Sequence, residues 1–249
     1  GKSGVKVPVL GLGANNFGWW ADERASAEVV NHALEIGINY IDTADMYDNG
    51  RSEEYLGRIL RGRRKEVLIA SKFGMPMGES VNDRGGSRWY VTRALEATLR
   101  RLQTDYLDLY QMHTPDPATP IEETLRALDD LVKAGKVRYI GCSNFAGWQL
   151  SDALWVSRVI NLNSFITVQP KYNLLERQVE QELAQAQRET QIEHILACLD
   201  EREQRIIKSR FGLDLHRARF GMQGSVVQHG AQPWTKLLQP ADEIRLVQV

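Results

Sequence analysis

Five side chains of reactive type fall at the ends of successive apolar runs: Asp42 closes INYID, Lys72 closes EVLIASK, His113 closes YLDLYQMH, Asn144 closes VRYIGCSN, and Gln169 sits in FITVQP. Tyr47 lies five residues beyond Asp42. A tyrosine, with an ordinary pKa of about 10, is a poor acid near neutrality, and a neighbouring ammonium favours its phenolate. Lys72 can act on Tyr47 in this way. An aspartate beside such a lysine keeps it charged and in place, while a neutral histidine can donate a hydrogen bond to a carbonyl oxygen. Asp42, Tyr47, Lys72 and His113 together suit the protonation of an oxyanion as it forms. Hydride addition to an aldehyde or ketone creates that oxyanion, and because no side chain supplies hydride, the chemistry requires a nicotinamide cofactor. Asn144 and Gln169 are the right chemical type to hold a carboxamide. Taken singly, each residue has an ordinary role: Asp42 as a turn cap, Lys72 as a strand-end surface charge, His113 before Thr114 and Pro115 as a loop histidine. Their joint position at five strand ends is what marks them.

Convergence of this kind needs parallel strands. Six apolar, β-branched runs occur, at 8–13, 38–42, 66–72, 106–113, 137–144 and 165–170. Helical patterns lie between them. SAEVVNHALEIG closes on Gly37, and SRWYVTRALEATLRRL opens at Ser87, an expected N-cap. TPIEETLRALDDLVKAG places Thr119 before Pro120, Glu122 and Glu123 in the first turn, and Lys133 before Gly135. Strict alternation of strand and helix argues for parallel strands joined by crossover helices, either as a β/α barrel or as a doubly wound sheet. In a barrel, the C-terminal strand ends gather the reactive residues into one site.

The chain of 249 residues has room for one large domain or two small ones. Its formal net charge of −1 provides no basic excess to draw it onto nucleic acid or an anionic membrane, so the expected partner is a small molecule or a protein. No apolar run reaches the roughly 18 residues of a membrane span, and GKSGVKVPVLGLG lacks a signal-peptide core, so a cytoplasmic protein is expected. Cys142 and Cys198 have no metal-like spacing and are read as reduced thiols. GLGANNFG lacks the third glycine of a dinucleotide fingerprint and reads as a tight turn after the first strand. Trp19, Trp20, Met75 and Met77 fall in loops after the first and third strands, where they can wall an apolar pocket or simply fill core and surface.

The segments NYIDTADMYDNGRSEEYLG, IASKFG, YLDLYQMHTPDP, GKVRYIGCSNF and VQPKYNLLER resemble the aldo-keto reductases, in family order and spacing over about residues 4–183. The resemblance implies an eight-stranded β/α barrel of TIM type that reduces carbonyl compounds with NADPH and without a metal. It leaves NADH open. It implies Tyr47 as general acid, Lys72 and Asp42 as its tuning pair, and His113 as the residue that orients the substrate carbonyl. Ser143, Asn144 and Gln169 would hold the nicotinamide amide, with Asp42 also near the cofactor ribose. GRSEEYLG and the stretch from Thr119 to Gly141 are similar to the bacterial branch related to potassium-channel β subunits.

Beyond residue 183 the pattern changes. Only six βα units are recognisable, and a boundary is placed at residue 184 between a barrel portion (1–183) and an atypical C-terminal segment (184–249). A long charged helix is expected over 184–211, with Ile192, Ile195, Leu196, Leu199, Ile206 and Ile207 on its apolar face. Only SVVQ (225–228) and IRLVQV (244–249) then look strand-like. The seventh and eighth strands, with an aromatic against the nicotinamide and basic residues for the adenosine phosphate, are not recognisable. Residues 195–215, ILACLDEREQRIIKSRFGLDL, instead resemble the start of the promoter-binding C-terminal region of bacterial sigma factors.

Three readings compete: a working reductase with substitute strands, a fragment or fusion acting as a channel-β-like binding module, and a sigma-like contact to DNA or polymerase. The last ranks lowest, because residues 188–219 carry seven Lys or Arg against six Asp or Glu, a net of +1. A six-stranded open barrel would also leave its first and sixth strands as edges for self-association.

Overall fold

The computed structural model describes residues 3–181. Six strands form one parallel sheet: β1 (Leu12–Gly13), β2 (Tyr40–Asp42), β3 (Leu68–Phe73), β4 (Leu107–Met112), β5 (Val137–Ser143) and β6 (Thr167–Gln169). Five helices connect them: α1 (Glu23–Glu35), α2 (Arg51–Ile59), α3 (Arg88–Leu102), α4 (Ile121–Lys133) and α5 (Gly147–Val159). All six expected strands are present, five within their apolar runs and β3 one residue beyond its run, at Phe73.

Strand order in space is the order in sequence, β1 to β6. A doubly wound sheet reverses its order at a switch point, so that alternative falls. The sheet is also curled. Four strand spacings separate β2 from β6, roughly 19 Å in a flat sheet, yet Gln169 Nε2 lies 3.4 Å from Asp42 Oδ2. The described residues thus form about half of a β/α barrel, with β1 and β6 at its two ends.

Alternation along the strands separates two cores. Ile41, Ile69, Phe73, Tyr110, Met112, Ile140 and Val168 point outward into a large apolar layer shared with the helices. Inward-facing Tyr40, Ala70 and Leu109 form a smaller cluster with Tyr139 and Ile166 at the N-terminal end of the interior. Two residues further along the same faces, the interior becomes polar, with Asp42, Lys72 and Gln111 all buried. This polar upper interior is where the site lies.

Local signals explain the helix starts. Asp22 caps α1 by accepting from the Ala25 amide at 2.8 Å, and Ser87 caps α3 by accepting from the Tyr90 amide at 3.2 Å. Thr119 does not cap α4. Pro120 itself occupies the cap position without a side-chain bond, and the Thr119 hydroxyl donates to Asp116 at 2.7 Å instead.

The loop from β2 to α2 is held tightly. Asp48 and Asn49 adopt left-handed conformations (φ 47° and 55°), which Asp and Asn tolerate better than most residues. The long helix expected over 184–211, the strand candidates at 225–228 and 244–249, Cys198 and the sigma-like stretch lie outside the described residues. Among the described residues, no helix is long and apolar enough to cross a membrane.

Helices α2 and α3 meet at Gly57. A Cβ there would lie 2.4 Å from the Arg101 carbonyl oxygen and 2.8 Å from the Leu102 carbonyl carbon, so only glycine allows this approach. Gly57→Ala is therefore expected to lower stability by about 1–3 kcal/mol through overpacking. Urea denaturation of the two proteins measures this, and an unchanged midpoint would show that the helices do not pack this closely.

Candidate active site

Lys72 sits near the end of β3 with its side chain pointing into the barrel, and it is 1% exposed. A buried ammonium is costly unless its three protons find partners. All three do. Nζ donates to Asp42 Oδ2 at the end of β2, to the Thr43 carbonyl oxygen at 3.0 Å, and to Tyr47 Oη at 3.2 Å. The partners come from one six-residue stretch, because the chain continues along β3 after β2 ends: the Thr43 amide donates to the Ala70 carbonyl and the Asp45 amide to the Lys72 carbonyl.

Asp42 is equally enclosed. Its Oδ1 accepts from Gln111 Nε2 at 3.3 Å, and its Oδ2 accepts from Gln169 Nε2 at 3.4 Å besides Lys72. Burial raises the Asp42 carboxyl pKa, while Lys72, Gln169 and Gln111 favour the carboxylate and pull it back. Gln111 also donates to Gln169 Oε1 at 3.3 Å, closing a ring of polar groups across β2, β4 and β6. Sequence reasoning did not single out Gln111. Strand alternation contained the signal, since Gln111 lies two residues before His113 and therefore shares its face.

His113 follows directly after β4, with its amide donating to the Phe73 carbonyl at 2.8 Å. Its ring meets Tyr47 edge to face with centroids 5.9 Å apart. Burial, assisted by the Lys72 charge, lowers the imidazole pKa to about 4. The ring is therefore neutral at pH 7 and carries a single N–H. Its Nδ1 is buried with no partner among the described residues.

The other side of the site is built from β5 and β6. Ser143 Oγ donates to the Gln169 carbonyl at 2.9 Å, and Asn144, left-handed at φ 58°, donates from Nδ2 to the His113 carbonyl and to Ser143 Oγ, both at 3.0 Å. Asn144 is exposed and Gln169 half-buried, so both reach the open mouth of the half-barrel. All seven residues singled out from the sequence therefore meet at one end of the sheet. A primary carboxamide needs both donors and acceptors, and the hydroxyl and two amides of Ser143, Asn144 and Gln169 offer both types.

Around this centre, Gly18 approaches Asp48 so closely that a Cβ would lie 2.5 Å from Asp48 Oδ2, which brings the loop after β1 up to the Tyr47 turn. That loop carries Trp19 and Trp20, 53% and 85% exposed, so they are surface residues rather than core. Met77, in contrast, packs against the large core. Cys142 is buried with a free thiol. Among the described residues, no group of His, Cys, Asp and Glu is placed to hold a metal ion.

The aldo/keto reductase family model matches residues 9–198. This chain belongs to the aldo/keto reductase family. It is 40% identical over 200 residues to the uncharacterized oxidoreductase YrpG of Bacillus subtilis, covering 76% of this chain and 61% of that protein. It is 38% identical to the aldo-keto reductase YhdN of the same organism, covering 78% and 59%. A probable voltage-gated potassium channel subunit beta of Oryza sativa is 36% identical over 181 residues, covering 71% and 55%. The aldo-keto reductase chain thus spans about 60% of the length of the first two relatives. The family match runs on to residue 198, into the stretch that resembled a sigma factor, and that resemblance is not borne out.

The lowered His113 pKa has a measurable consequence. In the unfolded chain an ordinary imidazole binds its proton below about 6.5, whereas folded His113 does so only below about 4, so this residue makes stability rise with pH across that window. Side-chain NMR should show its ring signals flat from pH 5.5 upward, with assignment by loss in His113→Gln. A His113 midpoint near 6.5 would contradict the burial of the ring.

Proposed function

We propose that this chain reduces an aldehyde or ketone to the alcohol, using NADPH, with Tyr47 as the proton donor. The observation that carries this reading is the direction of one hydrogen bond. Lys72 donates to Tyr47 Oη, so the phenol oxygen is the acceptor there and its own proton is free to point elsewhere. The edge contact with His113 brings a neutral imidazole beside the same phenol ring.

When bound, the reduced nicotinamide supplies hydride to the carbonyl carbon. His113 steadies the carbonyl oxygen through its single N–H, and Tyr47 passes its proton to that oxygen as charge develops. The phenolate left behind lies beside the Lys72 ammonium, which Asp42 and the Thr43 carbonyl hold in place. Tyr47 is half-buried, so it can regain a proton from water once product leaves. Ser143, Asn144 and Gln169 would hold the nicotinamide carboxamide, and Asp42 would lie near the ribose. The same reading makes a small carbonyl compound the partner and the cytoplasm the place of action. NADPH is preferred to NADH on the family resemblance, and comparing the affinities of the two cofactors tests that preference.

Cofactor binding is measured by fluorescence titration of the full chain, and turnover by NADPH oxidation with 4-nitrobenzaldehyde as probe. Tyr47→Phe is expected to lower kcat at least about 100-fold, within the usual range for loss of a general acid, while Kd for NADPH changes by no more than about twofold. Equal turnover by the variant would remove Tyr47 from this role. Failure of the unaltered chain to bind NADPH at millimolar concentration would remove the activity itself.

A further inference from the structure

Behind the site, between the sheet and helices α2 and α3, lies a second set of buried ionisable groups that the proposed reduction does not use. Glu53 of α2 is fully buried, accepts from Ser71 Oγ at 2.5 Å and pairs with Arg101 Nε of α3 at 2.6 Å. Both of its oxygens are thereby satisfied, and its charge is matched. Asp45 is different. It is 1% exposed; among the described residues its Oδ1 has no partner and its Oδ2 has a single side-chain contact, with Tyr90 Oη at 3.4 Å.

Proton counting decides what that contact is. The Tyr90 oxygen also lies 3.1 Å from the Met75 carbonyl, which can only accept. A phenol has one proton, and the shorter contact with an obligatory acceptor claims it. The remaining contact forms a hydrogen bond only if Asp45 supplies the proton. At 3.4 Å the contact is long for either direction, and the enclosure of the carboxyl speaks for the acid: Asp45 forms no ion pair among the described residues, and an unpaired buried carboxylate is costly. Asp45 also occupies a sensitive place. It lies two residues before Tyr47, and its backbone amide donates to the Lys72 carbonyl at 3.2 Å. Met75, at the far end of the chain of contacts, begins the loop over 74–86 that follows β3, which is closed on itself by the Gly85 amide donating to the Gly74 carbonyl at 2.9 Å.

We propose that Asp45 is held as the neutral carboxylic acid and is a positioning residue, its O–H donating to Tyr90, whose own O–H donates to Met75, so that the segment carrying Tyr47 and the 74–86 loop are tied together. The positioning role rests on Tyr47 acting as the proton donor; the protonation state and the tie do not. The surrounding charges agree with the geometry. Burial and the neighbouring Glu53 carboxylate raise the Asp45 pKa to about 8, outweighing the Arg101 charge and the Met46 amide, which favour the carboxylate. Tyr110 of β4 also faces Asp45 and is itself pushed far above the ordinary phenol range, so it stays neutral. The Lys72 ammonium points to the other face of the sheet.

The sign of the pH dependence follows. Between about 3.8, its ordinary value, and about 8, folded Asp45 keeps a proton that the unfolded chain gives up. Stability is therefore lost as pH rises through this window, by up to about tenfold in the unfolding equilibrium per pH unit, and the loss levels off above it. Asp45→Asn keeps a donor and an acceptor in the same shape and has no such proton to lose.

The test is made on the full chain with Asp45→Asn and Asp45→Ala. The Tm of the Asn variant should exceed that of the unaltered protein by a margin that widens from pH 4 to 8 and is constant above. A margin that does not change with pH would overturn the neutral acid. Hydrogen exchange read by mass spectrometry should be faster in Asp45→Ala over both 42–50 and 74–86, and near the original rate in Asp45→Asn. Faster exchange in 42–50 alone would overturn the tie. If the chain turns over, kcat should fall about tenfold or more in Asp45→Ala with KM little changed, and be largely kept in Asp45→Asn; an unchanged kcat in Asp45→Ala would overturn the positioning role. The Tm and exchange measurements need no activity, so loss of the proposed reduction and loss of the Asp45 tie are separate results.

Discussion

The structure depends on a charge placed where water cannot reach it. The Lys72 side chain is almost wholly enclosed at the end of β3, and an ammonium there must be given partners by the protein or give up its charge. Breaking such a buried pair from one side typically costs about 3–5 kcal/mol, because the remaining charge is left uncompensated. The chain meets this demand by continuing past β2 along β3, so that Asp42, Thr43 and Tyr47 all arrive within reach of one nitrogen. The same requirement aims the tyrosine. Its oxygen accepts from the Lys72 ammonium at 3.2 Å, which fixes where the phenol sits.

Curvature of the sheet supplies the second half of the enclosure. Gln111 and Gln169 come from β4 and β6, and only a curled sheet lets them share Asp42. The interior is consequently divided along its length, with Tyr40, Ala70 and Leu109 making an apolar floor beneath the polar ring. On the outer face another ionic group, Glu53 with Arg101, ties α2 to α3 below the tyrosine-bearing turn. Asp45 sits between these two polar regions. Its peptide is stitched to Lys72 on one side and its carboxyl contacts Tyr90 on the other.

Legibility in the sequence varied with the physical origin of each feature. Strands were readable because burial on both faces demands continuous apolar, β-branched runs, and each of the six runs coincides with its strand to within a residue at the C-terminal end. Ser87 was readable as a cap because its hydroxyl needs only the amide three residues ahead. The Thr119 hydroxyl instead goes to Asp116, a partner outside α4 that the spacing before Pro120 does not announce. Helices α2 and α5 carried weaker signals. The first follows left-handed residues at Asp48 and Asn49 that do not announce a helix, and the second begins at a glycine, Gly147.

What the sequence determined by itself was the inventory and the order: Asp42, Tyr47, Lys72, His113, Ser143, Asn144 and Gln169 on successive strand ends, in a pattern that resembles one family. Those are consequences of local periodicity and of residue type, and they need no knowledge of distant contacts. Only the tertiary structure decided between a barrel and a doubly wound sheet, brought Gln111 into the ring around Asp42, and set Asp45 against Tyr90 and Met75. Each of these depends on residues between 15 and 127 positions apart meeting within hydrogen-bonding distance, as the Tyr90 to Met75 and Gln169 to Asp42 bonds do. Such meetings follow from sheet curvature and helix packing, which no short stretch of sequence encodes.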